Sequence, residues 1–367
     1  KIYEKFRDAK VDGLFVPHCN FGTEYEVCRL AKKLNVPVLL WGPRDECPDE
    51  NGMRLRDSQC GLFATGKVLR RFGIPFTYLK NCNLEDECFA EGIDRFLRVC
   101  NVVKAFRNTR VLQISTRPFD FWSTMCNEGE LLEKFGIQLS PIPMPELTQA
   151  MKDVKENSPE EIKEVTDYCR EKMCIKVTPE QLDNVAALKI AMTRLGKKYG
   201  CNCGAIQCWN ALQDEIGIMP CAANALCNDE GFPIACETDI HGTITSVLVE
   251  AAAMGETRSF FADWTVRHPY NDNAELLQHC GPWPISIAKE KPTIDTPVAF
   301  DCSGSLMAQA KDGEHISLVR FDGDNGEYSL LLGNAKTVDG PYTKGTYMWV
   351  EVENLDRLED KLVQGPY

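Results

Sequence analysis

The sequence is poor in histidine and carries no excess of positive charge. Five His in 367 residues leave few imidazoles to bind metal or carry protons, so each can be weighed singly. Lys and Arg number 41 against 54 Asp and Glu, a net charge of −13. That balance disfavours nucleic acid and anionic membrane as partners, because both are recognised first through phosphate charge. No apolar run approaches the roughly 18 residues needed to span a bilayer. The lack of any G-x-G-x-x-G or G-x-x-x-x-G-K-[ST] run removes the usual dinucleotide and phosphate loops. Repeats, low-complexity tracts and C-x-x-C pairs are also missing. The chain opens on Lys1-Ile2-Tyr3 without Met or the apolar core of a signal peptide, and reads as a piece cut from a longer protein.

What is present is ordinary globular material, 44% apolar and 26% charged. At roughly 150 residues per domain there is room for two or three domains. Eighteen cysteines are scattered along the chain rather than packed into a small secreted scaffold, which predicts reduced cytoplasmic thiols, mostly buried as small apolar groups. The dense stretch is Cys201, Cys203, Cys208, Cys221, Cys227 and Cys236. Its tightest spacing is C-x-C, which argues against a zinc or iron–sulfur module.

The first hundred residues alternate strand and helix. Strands are predicted at 12–17, 36–42 and 74–79, and helices at 23–34, 62–72 and 89–106, a pattern that implies a parallel sheet with ligands at the strand ends. Val111–Ser115 starts a second sheet, and the loop 116–127 after it holds Arg117, Phe119, Phe121 and Trp122. Ser158-Pro159-Glu160-Glu161 and Thr178-Pro179-Glu180-Gln181 are helix starts, with a hydroxyl at the N-cap and Pro at the first helical position. Gly200 ends the second of these helices. From about Pro292 the texture turns to short strands and Gly, Asp and Asn turns. The expected layout is a partial N-terminal α/β domain over 1–108, a second α/β domain over 109–265 and a β-rich domain over 266–367.

Two acids stand at the ends of apolar runs. Glu237 follows Pro233-Ile234-Ala235-Cys236, and Asp263 follows Ser259-Phe260-Phe261-Ala262, read here as a strand. A buried carboxylate costs several kcal/mol, in order of magnitude, unless a cation compensates it. One reading supplies a divalent metal, Mn²⁺ or Mg²⁺, held with an imidazole such as His279. In the other, Glu237 caps the next helix and Asp263 pairs with Arg267. Among the remaining imidazoles, His18 follows a strand end, where a loop hydrogen bond and a functional contact are both open. His241 and His268 have no evident partner in sequence, and His315 reads as structural.

The run Ala235-Cys236-Glu237-Thr238-Asp239-Ile240-His241-Gly242, followed by Phe261-Ala262-Asp263, resembles the metal-site signature of the L-fucose isomerase and L-arabinose isomerase superfamily. The segments Pro17–Glu24, Trp41–Asp45 and Thr116-Arg117-Pro118 resemble the fucose isomerase-related proteins in the same order, so the likeness spans nearly the whole chain. It implies two flavodoxin-like parallel-sheet α/β domains and a β-rich C-terminal domain. The activity it implies is that of a metal-dependent aldose–ketose isomerase acting on a free sugar of L-fucose or L-arabinose type through an enediol. Glu237 and Asp263 match metal-binding and proton-transfer carboxylates, and His279 matches a metal ligand of the arabinose isomerase branch. Gln207 and Trp209 resemble a sugar-facing segment, with Arg117, Trp122 and His18 as further substrate contacts. Mn²⁺ is the implied cofactor, with Mg²⁺ or Co²⁺ as substitutes. The implied assembly is a cytoplasmic homo-oligomer, trimer or hexamer, with sites at subunit interfaces. The family also draws a ligand His from near its C-terminus, and none follows His315 here, so the expectation is a chain short at both ends and catalytically deficient as it stands. A non-catalytic sugar-binding relative and an epimerase using the same chemistry are the rival readings.

Overall fold

Short apolar strands alternating with amphipathic helices build a parallel sheet in the first part of the chain. The computed structural model describes residues 1–297, 302–365 and 367, and divides into two units, residues 1–105 and 106–367. In the first, α1 (Ile2–Asp8), β1 (Leu14–Pro17), α2 (Glu24–Leu34), β2 (Val38–Trp41), α3 (Ser58–Arg71), β3 (Thr77–Tyr78) and α4 (Glu87–Arg107) follow in order, α4 running past the unit's last residue. The strands form a parallel sheet in the order β1-β2-β3, and the central β2 is buried along its whole length. The predicted strand 74–79 shrinks to two residues. Ile74 N–H is spent on the Leu69 carbonyl at the end of α3, where Gly73 takes a left-handed conformation, so the ladder begins only at Thr77.

The second unit opens with β4 (Arg110–Ile114), α5 (Glu128–Phe135), β5 (Gln138–Ile142), α6 (Met144–Asn157), α7 (Pro159–Lys172) and β6 (Cys174–Ile175). It continues with α8 (Pro179–Tyr199), β7 (Cys203–Ile206), α9 (Ala211–Ile216), α10 (Cys221–Asp229), β8 (Ile234–Ala235) and α11 (Ile240–Ala252). Thr178 and Gln181 close a reciprocal capping box on α8, and Gly200 ends that helix in the left-handed region, as the sequence predicts. Ser158 precedes α7, but its side chain accepts from Arg194 rather than capping the helix.

Strands β4, β5, β7 and β8 form a second parallel sheet in the order β5-β4-β7-β8. Numbered along the chain this order is two, one, three, four, so the winding reverses between β4 and β7. In such sheets the crevice at the carboxyl ends beside the reversal is where ligands bind. The residues that leave these ends are Ser115 after β4, Gln207 and Cys208 after β7, and Cys236 and Glu237 after β8.

The remaining strands are β9 (Asp263–Arg267), β10 (Ala274–His279), β11 (Thr293–Asp295), β12 (Ser305–Gln309), β13 (His315–Asp324), β14 (Glu327–Val338) and β15 (Thr346–Glu351), before α12 (Leu355–Gln364). With β6 they make a mixed sheet in which β15 pairs with β10, β12 and β14. The turn joining β13 to β14 contracts to Asn325-Gly326, both at positive φ, as a tight hairpin needs. The run Ser259–Ala262 is extended but joins no ladder. Ser259 is drawn to Glu250, Phe260 packs edge-on against Trp283, and Asp263 opens a strand instead of ending one.

Leu112 and Ile114 of β4, Ile206 of β7, the apolar face of α8, and Met348 and Val350 of β15 share one continuous core. Leu112→Ala is expected to cost about 2–5 kcal/mol by opening a cavity there, and Thr178→Ala about 1 kcal/mol by removing the cap. Urea denaturation followed by circular dichroism checks both; equal costs at the two positions would show that burial in this core does not set stability.

Candidate active site

Glu237 is placed by strain. It and Thr238 follow β8 with φ of +55° and +53°, a left-handed conformation that costs residues with a Cβ about 1–3 kcal/mol each. The bend is held from several sides. Thr238 N–H donates to the Ile206 carbonyl, its hydroxyl donates to the Thr116 carbonyl at 3.0 Å, and Asp239 N–H donates to the Cys236 carbonyl. Thr124 reaches the Glu237 carbonyl at 3.5 Å, which ties the loop 116–127 to the same turn. Helix α11 is capped by Asp239, whose carboxylate accepts from Gly242 N–H, so Glu237 is free of the capping role and its carboxylate stays available.

The carboxylate has two close neighbours. His279 Nε2, at the end of β10, lies 3.4 Å from Oε2, and the Cys208 thiol donates to Oε1 at 3.2 Å. His279 is buried and its Nδ1 has no hydrogen-bond partner. Burial works against its positive charge, but the Glu237 carboxylate, then Asp263, outweighs it and lifts the imidazole to about 9. Asp263 stands opposite Gln278 on the neighbouring strand. Desolvation raises its carboxyl, the His279 charge lowers it and the Glu237 charge raises it again. Its side chain is nonetheless open to water, and solvent moderates the shift. His279 thus contacts Glu237 directly, and Asp263, at the start of β9, is near enough for its charge to act on both. Arg267 turns away to Asp356 and Glu359, which removes the sequence alternative that it neutralises Asp263.

Gln207 lies beside this group at the end of β7, its amide oxygen accepting from the Ser115 hydroxyl at 2.7 Å, and Trp209 meets Phe121 edge-on with ring centroids 4.9 Å apart. Arg117 curls back onto the carbonyls of Pro118 and Phe119, and Trp122 stands exposed on a short 3-10 turn. His18 belongs to the first unit, where it is buried with Nε2 2.9 Å from the Thr65 hydroxyl; desolvation lowers its pKa against the raising effect of Phe21 and Asn20 backbone hydrogen bonds. His268 bonds the Asp339 carbonyl, and His315 is exposed at the start of β13.

A charged network not visible in the sequence lies beside the site. His241, without an evident sequence partner, places Nδ1 2.8 Å from Asp322, and Arg320 bridges Asp322 at 2.6 Å and Asp239 at 2.5 Å. Burial pushes the Asp322 carboxyl up, but the His241 hydrogen bond and the Arg320 charge outweigh it and hold it below the usual range. A depressed carboxyl contributes stability that is present above the ordinary aspartate value of about 3.9 and lost as pH falls through the lower folded-state value. The urea midpoint should accordingly drop more steeply with acid in the wild type than in Asp322→Asn; parallel pH profiles would show that the pair is not coupled to folding.

Residues 1–107 match the fucose/sulfoquinovose isomerase N-terminal domain. The sulfoquinovose isomerases of Priestia aryabhattai and of Priestia megaterium are each 24% identical over 365 residues, 98% of this chain and 79% of theirs. That of Alkalicoccus urumqiensis is 25% identical over 312 residues, 84% of this chain and 68% of its own. With the domain match at one end and likeness extending across both units, the chain is similar to the fucose isomerase-related proteins, and the curated relatives it matches are named as isomerases.

Proposed function

We propose that this chain is a metal-dependent aldose–ketose isomerase that moves a proton between adjacent carbons of a free sugar through an enediol. The observation that carries the reading is the approach of His279 Nε2 to the Glu237 carboxylate at 3.4 Å, with Asp263 near enough for its charge to act on both. The donor set suits a hard divalent ion, since two carboxylates and one imidazole are the ligand types that Mn²⁺ and Mg²⁺ accept. Protonated His279 supplies the positive charge that two adjacent carboxylates need, and its unbonded Nδ1 leaves the ring free to turn toward an ion instead. Glu237, Asp263 and His279 would hold such an ion, which would supply Lewis-acid polarisation of the two sugar oxygens.

The chain's own residues supply the proton handling. Glu237 and Asp263 take a proton from the carbon beside the carbonyl and return it one carbon along. Asp263, raised by desolvation and by the Glu237 charge, holds a proton more readily than a free aspartate does. Ser115 fixes the Gln207 amide oxygen, which leaves the amide NH₂ to donate to a sugar hydroxyl. Trp209 against Phe121 offers an apolar wall to the C–H face of the ring.

The substrate class follows from relatives and resemblance together: a free aldose of the L-fucose or L-arabinose type, or the sulfoquinovose named for the curated relatives. Arg117, Trp122 and His18 belong to this proposal as substrate contacts, as does a cytoplasmic homo-oligomer. No helix among the described residues is long and apolar enough to cross a membrane.

Against the expectation from sequence alone of a catalytically deficient chain, the Glu237, His279 and Asp263 donor set leads us to expect that assay with Mn²⁺ against a panel of five- and six-carbon aldoses, including sulfoquinovose, yields a ketose from at least one of them. Chelator should abolish turnover and Mn²⁺ restore it. Glu237→Gln should lower kcat by about 10²–10⁴ without rescue by added metal. A product that retains the aldehyde, or no product across the panel, contradicts the proposal.

A further inference from the structure

The cysteines that look scattered in sequence converge beside Glu237. Cys208 follows β7, Cys236 follows β8, Cys221 opens α10 and Cys280 follows β10. Cys221 contacts both Cys236 and Cys280 through their thiols, and Cys208 contacts Cys236. Gly281 permits this approach, since a Cβ there would stand 2.6 Å from the Cys221 Cα. The sulfurs of Cys208 and Cys236 and a carboxylate oxygen of Glu237 all lie within 4.8 Å of one another, with Cys208 Sγ only 3.2 Å from Glu237 Oε1. Bonds of about 2.3 Å to sulfur and about 2.0–2.2 Å to oxygen around a tetrahedral ion give ligand-to-ligand edges of about 3.6–3.8 Å. The three donors are thus spaced for one ion without rearrangement of the backbone.

We propose that Cys208, Cys236 and Glu237 form a second metal site, selective for a thiophilic divalent cation such as zinc or cadmium, with Cys221 within reach as a fourth ligand. Thiolate donors favour such ions over Mn²⁺ or Mg²⁺. Glu237 stands between the two sites: Oε1 faces the thiol side and Oε2 faces His279. It is also the member that reaches solvent, with 13% of its side chain exposed, while Cys208 and Cys236 are buried behind it. An ion therefore arrives along the same path as the isomerase metal and is then drawn inward by the sulfurs. Binding forms two metal–sulfur bonds and releases the two thiol protons to solvent, with no change in oxidation state. Occupation of this site takes Glu237 from its partner role, so zinc or cadmium is expected to inhibit an enzyme that Mn²⁺ activates. The site itself does not depend on the isomerase reading.

The test uses Cd²⁺ added to the reduced, chelator-treated whole chain, read by the ultraviolet thiolate-to-cadmium charge-transfer band. Titration should saturate, and the band should fall by about half or more in Cys208→Ser and in Cys236→Ser, each of which removes one of two thiolates. Cys169→Ser, buried away from the cluster, should leave it unchanged. So should the double variant Cys82→Ser/Cys88→Ser, which removes the other pair of thiols that, among the described residues, lies close enough to share an ion with a carboxylate. A band unaltered in the Cys208 and Cys236 variants, or lost in the Cys82/Cys88 variant alone, overturns the proposal. If the serine variants fail to fold, anomalous scattering from cadmium in wild-type crystals decides: a peak bonded to both Cys208 and Cys236 supports the site, and its absence there refutes it. Neither measurement uses turnover, so a failed proposal here and a failed isomerase assignment remain distinct results.

Discussion

A carboxylate at the end of a buried strand requires a counter-charge, and the Glu237 side chain organises its surroundings around that need. Desolvating an unpaired carboxylate costs several kcal/mol, in order of magnitude. Here the charge is met by His279, whose protonation persists to about 9 against the opposing effect of burial. Asp263 adds a second negative charge near the same imidazole. A divalent ion bound by the two carboxylates would meet the same negative charge that protonated His279 meets here.

The fold sets this group in place through topology and local strain. Reversal of strand order between β4 and β7 gathers the carboxyl ends of three parallel strands, and the left-handed pair Glu237-Thr238 turns the chain across that edge. The β-rich sheet contributes Asp263 from β9 and His279 from β10, close enough for each charge to act on the other. Because both sheets share one core, a cavity in that core reaches the site through the strands that carry its residues. The Arg320 bridge between Asp239 and Asp322 fastens the cap of α11 to β13, which fixes the helix that starts two residues beyond Thr238.

Much of this was legible in the sequence. Apolar runs that end in an acid single out Glu237 and Asp263, and alternating strand and helix periodicity predicts the parallel sheets. The strand assigned to Ser259–Ala262 fails because apolar composition cannot tell an extended segment with ladder partners from one anchored by side chains such as Glu250 and Trp283. The His241–Asp322–Arg320–Asp239 network was hidden for a different reason: Arg320 and Asp239 are separated by 81 residues, and no local pattern links them. The thiol cluster escaped likewise, since C-x-x-C spacing reports only sites built within one loop, whereas Cys208, Cys236 and Cys280 follow three different strands and Cys221 opens a helix.

The central claim is that Glu237 and Asp263 share one hard divalent ion. Diffraction from crystals grown with Mn²⁺, recorded at the manganese absorption edge, tests it without reference to any substrate. The account predicts a single strong anomalous peak with oxygens of both Glu237 and Asp263 at about 2.0–2.2 Å. Manganese bound elsewhere, or bound to Glu237 with Asp263 left outside its coordination shell, would contradict it.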